Sequence, residues 1–206
     1  MRSAKAVVQE ERTFTVTARR AQMVQAAIDT IAEVGYTRAS LDRIGARIGI
    51  SKGLIGYHFA GKEELIRQVV DDVIAEGIAY MEPLILAQAT GSGRLRAYIE
   101  SNLAFVRENR NAMVAIVDIA RNDLTDGRRH YYGHSEVDQA VRKLAELLAA
   151  SQATGELRAY FDPEAMAIAI RAAIDAVSPR LVVDPDFDVD EYAKEIANTF
   201  DLATRV

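Results

Sequence analysis

Two short amphipathic segments meet at Gly49-Ile50, each preceded by a serine: Ser40 ahead of LDRIGARI and Ser51 ahead of KGLIGYHF. This arrangement leaves the fold little freedom. A serine just before a periodic apolar segment marks a helix start, because its side-chain oxygen accepts from a first-turn N–H that has no helical partner. Leu41, Ile44 and Ile48 line one side of the first segment, and Gly45 and Ala46 are small enough for two helices to cross closely. Gly49 falls where the backbone must pass through the left-handed region, which glycine enters without steric cost. Ile50 is the single apolar plug of the turn, and Ile55 and Phe59, four apart, anchor the second segment. Helix, tight glycine turn, helix is the helix-turn-helix pattern.

Helical signals extend along the rest of the chain, and no run of alternating β-branched residues reads as a strand. A first helix is expected from an N-cap at Thr17 to a stop at Gly35, with Met23, Ala26, Ala27, Ile31 and Val34 as its buried stripe. Residues 1–14 show little periodicity and are set apart as a flexible arm. A longer helix opens after Gly61 and is expected to kink or end at Pro83. Gly91-Ser92-Gly93 reads as a break, followed by helices near 94–108, 111–124, 135–152, 163–182 and 188–204. Asp162-Pro163-Glu164 and Asp188 carry helix-start chemistry. The expected fold is all-α with about nine helices.

Charge divides the chain in two. Residues 1–68 hold 11 Lys/Arg against 7 Asp/Glu, whereas residues 69–206 hold 14 against 23. The front can approach an anion that the remainder would repel. The chain has no cysteine, which excludes disulfides and thiolate metal sites. It lacks a charge-free run of membrane length and an apolar leader, so no membrane association and a cytoplasmic location are expected.

The second segment of the helix-turn-helix has the chemistry of a phosphate and base surface. Lys52 supplies a mobile cation in its first turn, Gly53 permits close approach, Tyr57 and His58 are donors at its far end, and Lys62 follows. Gly53 inside a helix costs about 1 kcal/mol relative to alanine and so needs a reason. Residues 37–65, TRASLDRIGARIGISKGLIGYHFAGKEEL, resemble the DNA-binding segment of TetR-family repressors, usually close to IAxxAGVSxGxLYxHFxxKEEL. The resemblance rests on Ile44, Gly49, Ser51, Gly53, Tyr57-His58-Phe59 and Lys62-Glu63-Glu64-Leu65, with Gly35-Tyr36-Thr37 ahead of them. It departs at Gly56, where the family commonly has a tyrosine on the DNA backbone, and at Gly45 and Ile48, where alanine is usual.

The resemblance implies an N-terminal helix-turn-helix domain over 15–61 and a helical effector-binding and dimerisation domain over 62–206. It also implies a homodimer on double-stranded operator DNA, released by a small-molecule effector, with Ser40, Ser51, Lys52, Gly53, Tyr57, His58 and Lys62 toward DNA. The last two long helices would pair with their twins, and Ala165, Ala169, Ala172, Ala173 and Ala176 form the small-residue stripe assigned to that interface. The helices between would enclose the effector, with Tyr98, Asn102 and Phe105 at helical spacing facing Asp118. Asp118 is the one charge in an otherwise apolar run and has Arg121 as its alternative partner. The acidic body suggests a cationic or hydrogen-bond-donating ligand. His130 and His134 near Asp126 have metal-ligand spacing if helical, but their Gly-punctuated polar surroundings read as a loop, and no metal, cofactor or catalytic set is expected. The competing reading is a helical adaptor or enzyme that uses residues 40–62 for other contacts.

Overall fold

No proline occurs before position 83, and the first ninety residues are rich in good helix formers. A computed structural model describes the backbone of residues 4–125 and 134–206, and the side chains of residues 16–122 and 139–206. Helix α1 spans Ala4–Val34. The helix therefore begins well before Thr17, and residues 4–14 continue α1 instead of forming a separate arm. Nothing in that stretch, free of proline and glycine, stops a helix from propagating backward. Gly35 ends α1 at φ +85°, its N–H donating to the Ile31 carbonyl at 2.8 Å.

Helices α2 (Leu41–Arg47) and α3 (Lys52–His58) follow, capped by Ser40 and Ser51 as their spacing requires. Helix α4 (Lys62–Leu86) continues a turn past Pro83 instead of ending there. The glycine run is also not a break. Helix α5 (Gly91–Glu108) starts on it, and the Thr90 side chain accepts from the Gly93 N–H at 3.1 Å.

Helices α6 (Arg110–Thr125) and α7 (His134–Ala153) come next. The stretch expected as one helix over 163–182 divides into α8 (Pro163–Asp175) and α9 (Val177–Val183). Pro179 has no N–H to donate, and its ring crowds the Asp175 carbonyl four residues back. Helix α10 (Val189–Thr204) is capped by Asp188. The side chains of Asp126, His130 and His134 lie outside the described residues. No helix among the described residues is long and apolar enough to cross a membrane.

Two apolar cores hold these helices. The first joins α1 to α4 and α6, with Ile44, Ile55, Phe59 and Leu65 fully buried beside Met23 and Ile119. The second joins α5 to α7, α8, α9 and α10 around Leu103, Leu148 and Ile170. Phe105 of α5 belongs to the first core, and the partly buried Met113 of α6 packs against both. Truncation of Leu103, fully buried in the second core, measures this packing. Leu103→Ala is expected to cost about 2–5 kcal/mol, seen as a lower urea midpoint at unchanged slope.

Candidate nucleic-acid interface and enclosed cavity

Helix α3 is only seven residues long and has too few internal hydrogen bonds to hold itself. Its inner side is pinned by Ile55 and Phe59, both buried. Its C-terminal end is pinned by Arg20 of α1, which donates to the His58 carbonyl, lies 4.1 Å over the Phe59 ring and donates to Gln68 at 2.9 Å. Gly45 is what allows α2 to sit so close. A Cβ there would stand 2.5 Å from the Ile50 carbonyl oxygen, so the alanine usual in related sequences has no room. Gly49 takes φ +70°, as the turn requires.

With its inner side fixed, α3 presents Lys52, Gly53, Leu54, Gly56 and Tyr57 to solvent. Tyr57 is 81% exposed and its ring meets the half-buried His58 ring edge-on. Positions 53 and 56 are open: a Cβ at Gly56 would have no neighbour within 4 Å, and one at Gly53 would meet only the Ser51 hydroxyl at 3.7 Å. Ser40 and Ser51 are exposed but occupied as caps, accepting from Arg43 and Leu54 N–H groups at 3.3 Å. Lys52 pairs only loosely with Asp42, at 4.0 Å between two exposed side chains. Leu54, an apolar side chain 38% exposed beside these polar groups, is a surface residue that the motif alone does not single out. Its signal in the sequence is its place one residue before the buried Ile55, off the apolar stripe.

Lys62 does not lie open as a phosphate ligand. Its ammonium donates to the Tyr36 carbonyl at 2.6 Å and sits 4.2 Å above the Tyr36 ring, and burial lowers its pKa below the ordinary lysine value. Asp118 requires a second correction. It is absent from the cavity wall, and its carboxylate accepts from the Tyr36 N–H and from Asn122 at 3.4 Å, so Arg121 is not its partner. Both residues therefore clamp the backbone of Tyr36 between α6 and the start of α4.

The body holds a partly open cavity of about 220 Å³ lined by α4, α5, α6, α7, α8 and α9. Tyr98, Asn102 and Phe105 line it together, as their spacing predicts. Val73, Ile78, Met113 and Ile174 make its apolar walls, while Arg171 and Asp175 gather with Tyr98 and Asn102 at a polar end, and Lys143 also lines it. Helices α4 and α8 belong to this wall, which therefore extends beyond the 94–152 region expected from sequence. Among the described lining residues two cations, Lys143 and Arg171, stand against one carboxylate, Asp175.

The alanine stripe separates into two groups. Ala165, Ala169 and Ala172 are exposed on α8 beside Ile168, which is 53% exposed, and Ala176 is exposed at its C-cap, whereas Ala173 is half-buried and its carbonyl accepts from Tyr192 of α10 at 2.9 Å.

Comparison with known proteins agrees with the geometry. The family model for bacterial regulatory proteins of the tetR family matches residues 23–69. The chain is 33% identical over 104 residues to the HTH-type transcriptional regulator BetI of Cronobacter sakazakii, covering 48% of this chain and 50% of that one. With BetI of Vibrio campbellii the identity is 25% over 191 residues, covering 88% and 89%. In the first of these matches the chain spans about half the length of the curated relatives. The solved structure of the fatty acid degradation regulator FadR from Bacillus halodurans superposes with a TM-score of 0.75 at 18% identity, covering 87% and 93%. At that identity the likeness speaks for the fold alone.

Asp118→Ala tests the clamp. It leaves the Tyr36 N–H without its acceptor and is expected to lower stability by about 1–3 kcal/mol. Asp118→Asn, whose amide oxygen can still accept, should lose less in the same thermal or urea titration. Equal losses would mean that the hydrogen bond to Tyr36 is not what Asp118 contributes.

Proposed function

We propose that this chain, which belongs to the TetR family of bacterial regulatory proteins, is a homodimeric repressor that binds operator DNA and releases it when a small molecule occupies the body. The observation that carries the reading is the outward surface of α3, with Lys52, Leu54 and Tyr57 exposed on a helix whose back is fixed by Ile55, Phe59 and Arg20. A protruding, rigidly seated helix of this kind enters a major groove, where its side chains meet base edges and phosphates. Gly53 and Gly56 let the backbone approach closely, and Tyr57 stands where it can cover the backbone contact that position 56 gives up. An adaptor using residues 40–62 for protein contacts would have no use for a basic first 68 residues on an otherwise acidic chain.

Release follows from shared walls. Helix α4 lines the cavity at Val73 and Ile78 and begins at Lys62, which holds the Tyr36 carbonyl. Helix α6 lines it at Met113 and Ile116 and holds the Tyr36 N–H through Asp118. A ligand that favours one arrangement of α4 and α6 thereby favours one position of the helix-turn-helix. In a dimer it then selects a separation of the two α3 helices, and only about 34–36 Å fits successive major grooves.

Binding to DNA upstream of the gene, measured against salt, tests the reading. Lys52→Ala is expected to reduce the salt slope by about one unit and weaken binding on all sequences alike. Leu54, an apolar contact for a thymine methyl group, predicts a base-specific effect. Replacing one thymine with uracil should weaken the wild type and leave Leu54→Ala unaffected. Salt-independent binding, or none, would favour the adaptor.

The exposed face of α8, made of Ala165, Ala169 and Ala172 with Ile168 and extended by Ala176 at its C-cap, supports a close helix–helix contact between two copies. Ala169→Glu would bury an unpaired charge there at a cost of several kcal/mol. Sedimentation should then show helical monomers with sharply reduced operator affinity. An intact dimer would move the interface to another surface.

A further inference from the structure

The cavity has one polar end, and its chemistry is selective. Arg171 of α8, with a side chain only 16% exposed, is held there by Asn102 at 3.0 Å, by Tyr98 at 3.3 Å and by Asp175. Lys143 of α7 also lines the cavity, and among the described lining residues Asp175 is the sole carboxylate. Two cations against one acid give the described lining a net positive charge, while most of the remaining lining is apolar.

We infer that the cavity takes an amphipathic monoanion, a short apolar chain ending in a carboxylate, which inserts its tail between α4, α5 and α6 and sets its head on Arg171. A guanidinium presents donors in a fixed fork that suits a carboxylate, and Asn102 and Tyr98 fix its plane. Asp175 occupies the place on Arg171 that the ligand head takes. It is half exposed, and burial raises its pKa even though the Arg171 charge and hydrogen bond lower it. Because Asp175 is half exposed, an incoming carboxylate can reach Arg171 in its place. Lys143, exposed at the rim, adds attraction without being buried. A cation would meet Arg171 at this same polar end. The volume lies below the roughly 300–1,000 Å³ usual for drug-sized ligands, which suits a short chain, with octanoate as the probe.

The assignment rests on the effector reading of this cavity, and the test separates the two. Octanoate, octan-1-ol and octyltrimethylammonium are titrated calorimetrically into the full chain, and DNA binding is followed in parallel. Octanoate is expected to bind at least ten-fold more tightly than either of the others. Lys143→Gln, an exposed change that leaves the fold alone, should weaken octanoate about three-fold and leave octanol unchanged. Asp175→Asn supplies a test of sign: removing the competing carboxylate should tighten octanoate, whereas for a cation-binding cavity the same change should weaken octyltrimethylammonium. A preference for octanol or the ammonium, or weaker octanoate binding in Asp175→Asn, overturns the assignment even if DNA binding is intact. Octanoate binding with this profile but without DNA release supports the ligand class and counts against the effector reading.

Discussion

The backbone of one residue joins the two halves of this molecule. The Tyr36 N–H is taken by Asp118 from α6, and the Tyr36 carbonyl by Lys62 from the start of α4. Next to it, Thr37 reaches Asn122 of α6 at 3.1 Å, and the Lys62 ammonium stacks on the Tyr36 ring. A loop after a helix end has backbone groups that the helix no longer satisfies. Here they are satisfied by side chains from helices that also wall the cavity, so the loop cannot move independently of those walls. The contact is partly buried, and hydrogen bonds to charged groups are worth about 1.5–3 kcal/mol, twice an ordinary one. That is a large fraction of the coupling free energy typical between sites.

The short helices show why such anchors are necessary. Seven residues of α2 and seven of α3 supply few helical hydrogen bonds, and nucleation is unfavourable at that length. Serine caps stabilise their starts, while tertiary contacts supply the rest. Arg20 performs three tasks with one guanidinium: it donates to the last carbonyl of α3, covers the Phe59 ring, and reaches Gln68 of α4. The orientation of α3 is therefore set by α1 and α4, and any shift of α4 is transmitted to it.

Local features are legible in the sequence, and tertiary ones are not. Ser40, Ser51, Gly49, Asp162 and Asp188 do their work within four residues of themselves, and each stands where its spacing puts it. Lys62 reads as a ligand for DNA, and Asp118 as a ligand for the effector or a partner of Arg121, because spacing offers only near neighbours. Their partner, Tyr36, lies 26 and 82 residues away. The onset of α1 is hidden for a different reason: a capping residue such as Thr17 marks a start only where something also stops the helix from extending backward. Net charge of the whole body does not give the charge of the cavity lining, because it is mostly a property of the surface. Lys143 lines the same cavity as Arg171 and Asp175 only because α7 and α8 pack side by side.

Tyr98, Asn102 and Phe105 show how far helical spacing alone can carry an argument. Their four- and three-residue steps place them on one face of α5, and α5 is the helix that touches both α4 and α10. The face that turns toward α4 therefore opens onto the cavity whatever else packs there. The opposite wall is beyond reach of spacing, because it depends on how the chain bends at Ala176. Pro179 breaks the helix just beyond Asp175, and the chain turns there so that Ser178 of α9 also faces the cavity. The polar end of the cavity thus sits at the end of α8, one turn from the exposed alanines that we assign to the contact between copies. A head group that replaced Asp175 on Arg171 would act on the helix that carries Ala169 and Ala172, and the same ligand's tail would touch α4 and α6. Occupancy can then bias the dimer contact and the loop at Tyr36 together, to the extent that the ligand binds one arrangement of these helices more tightly than the other.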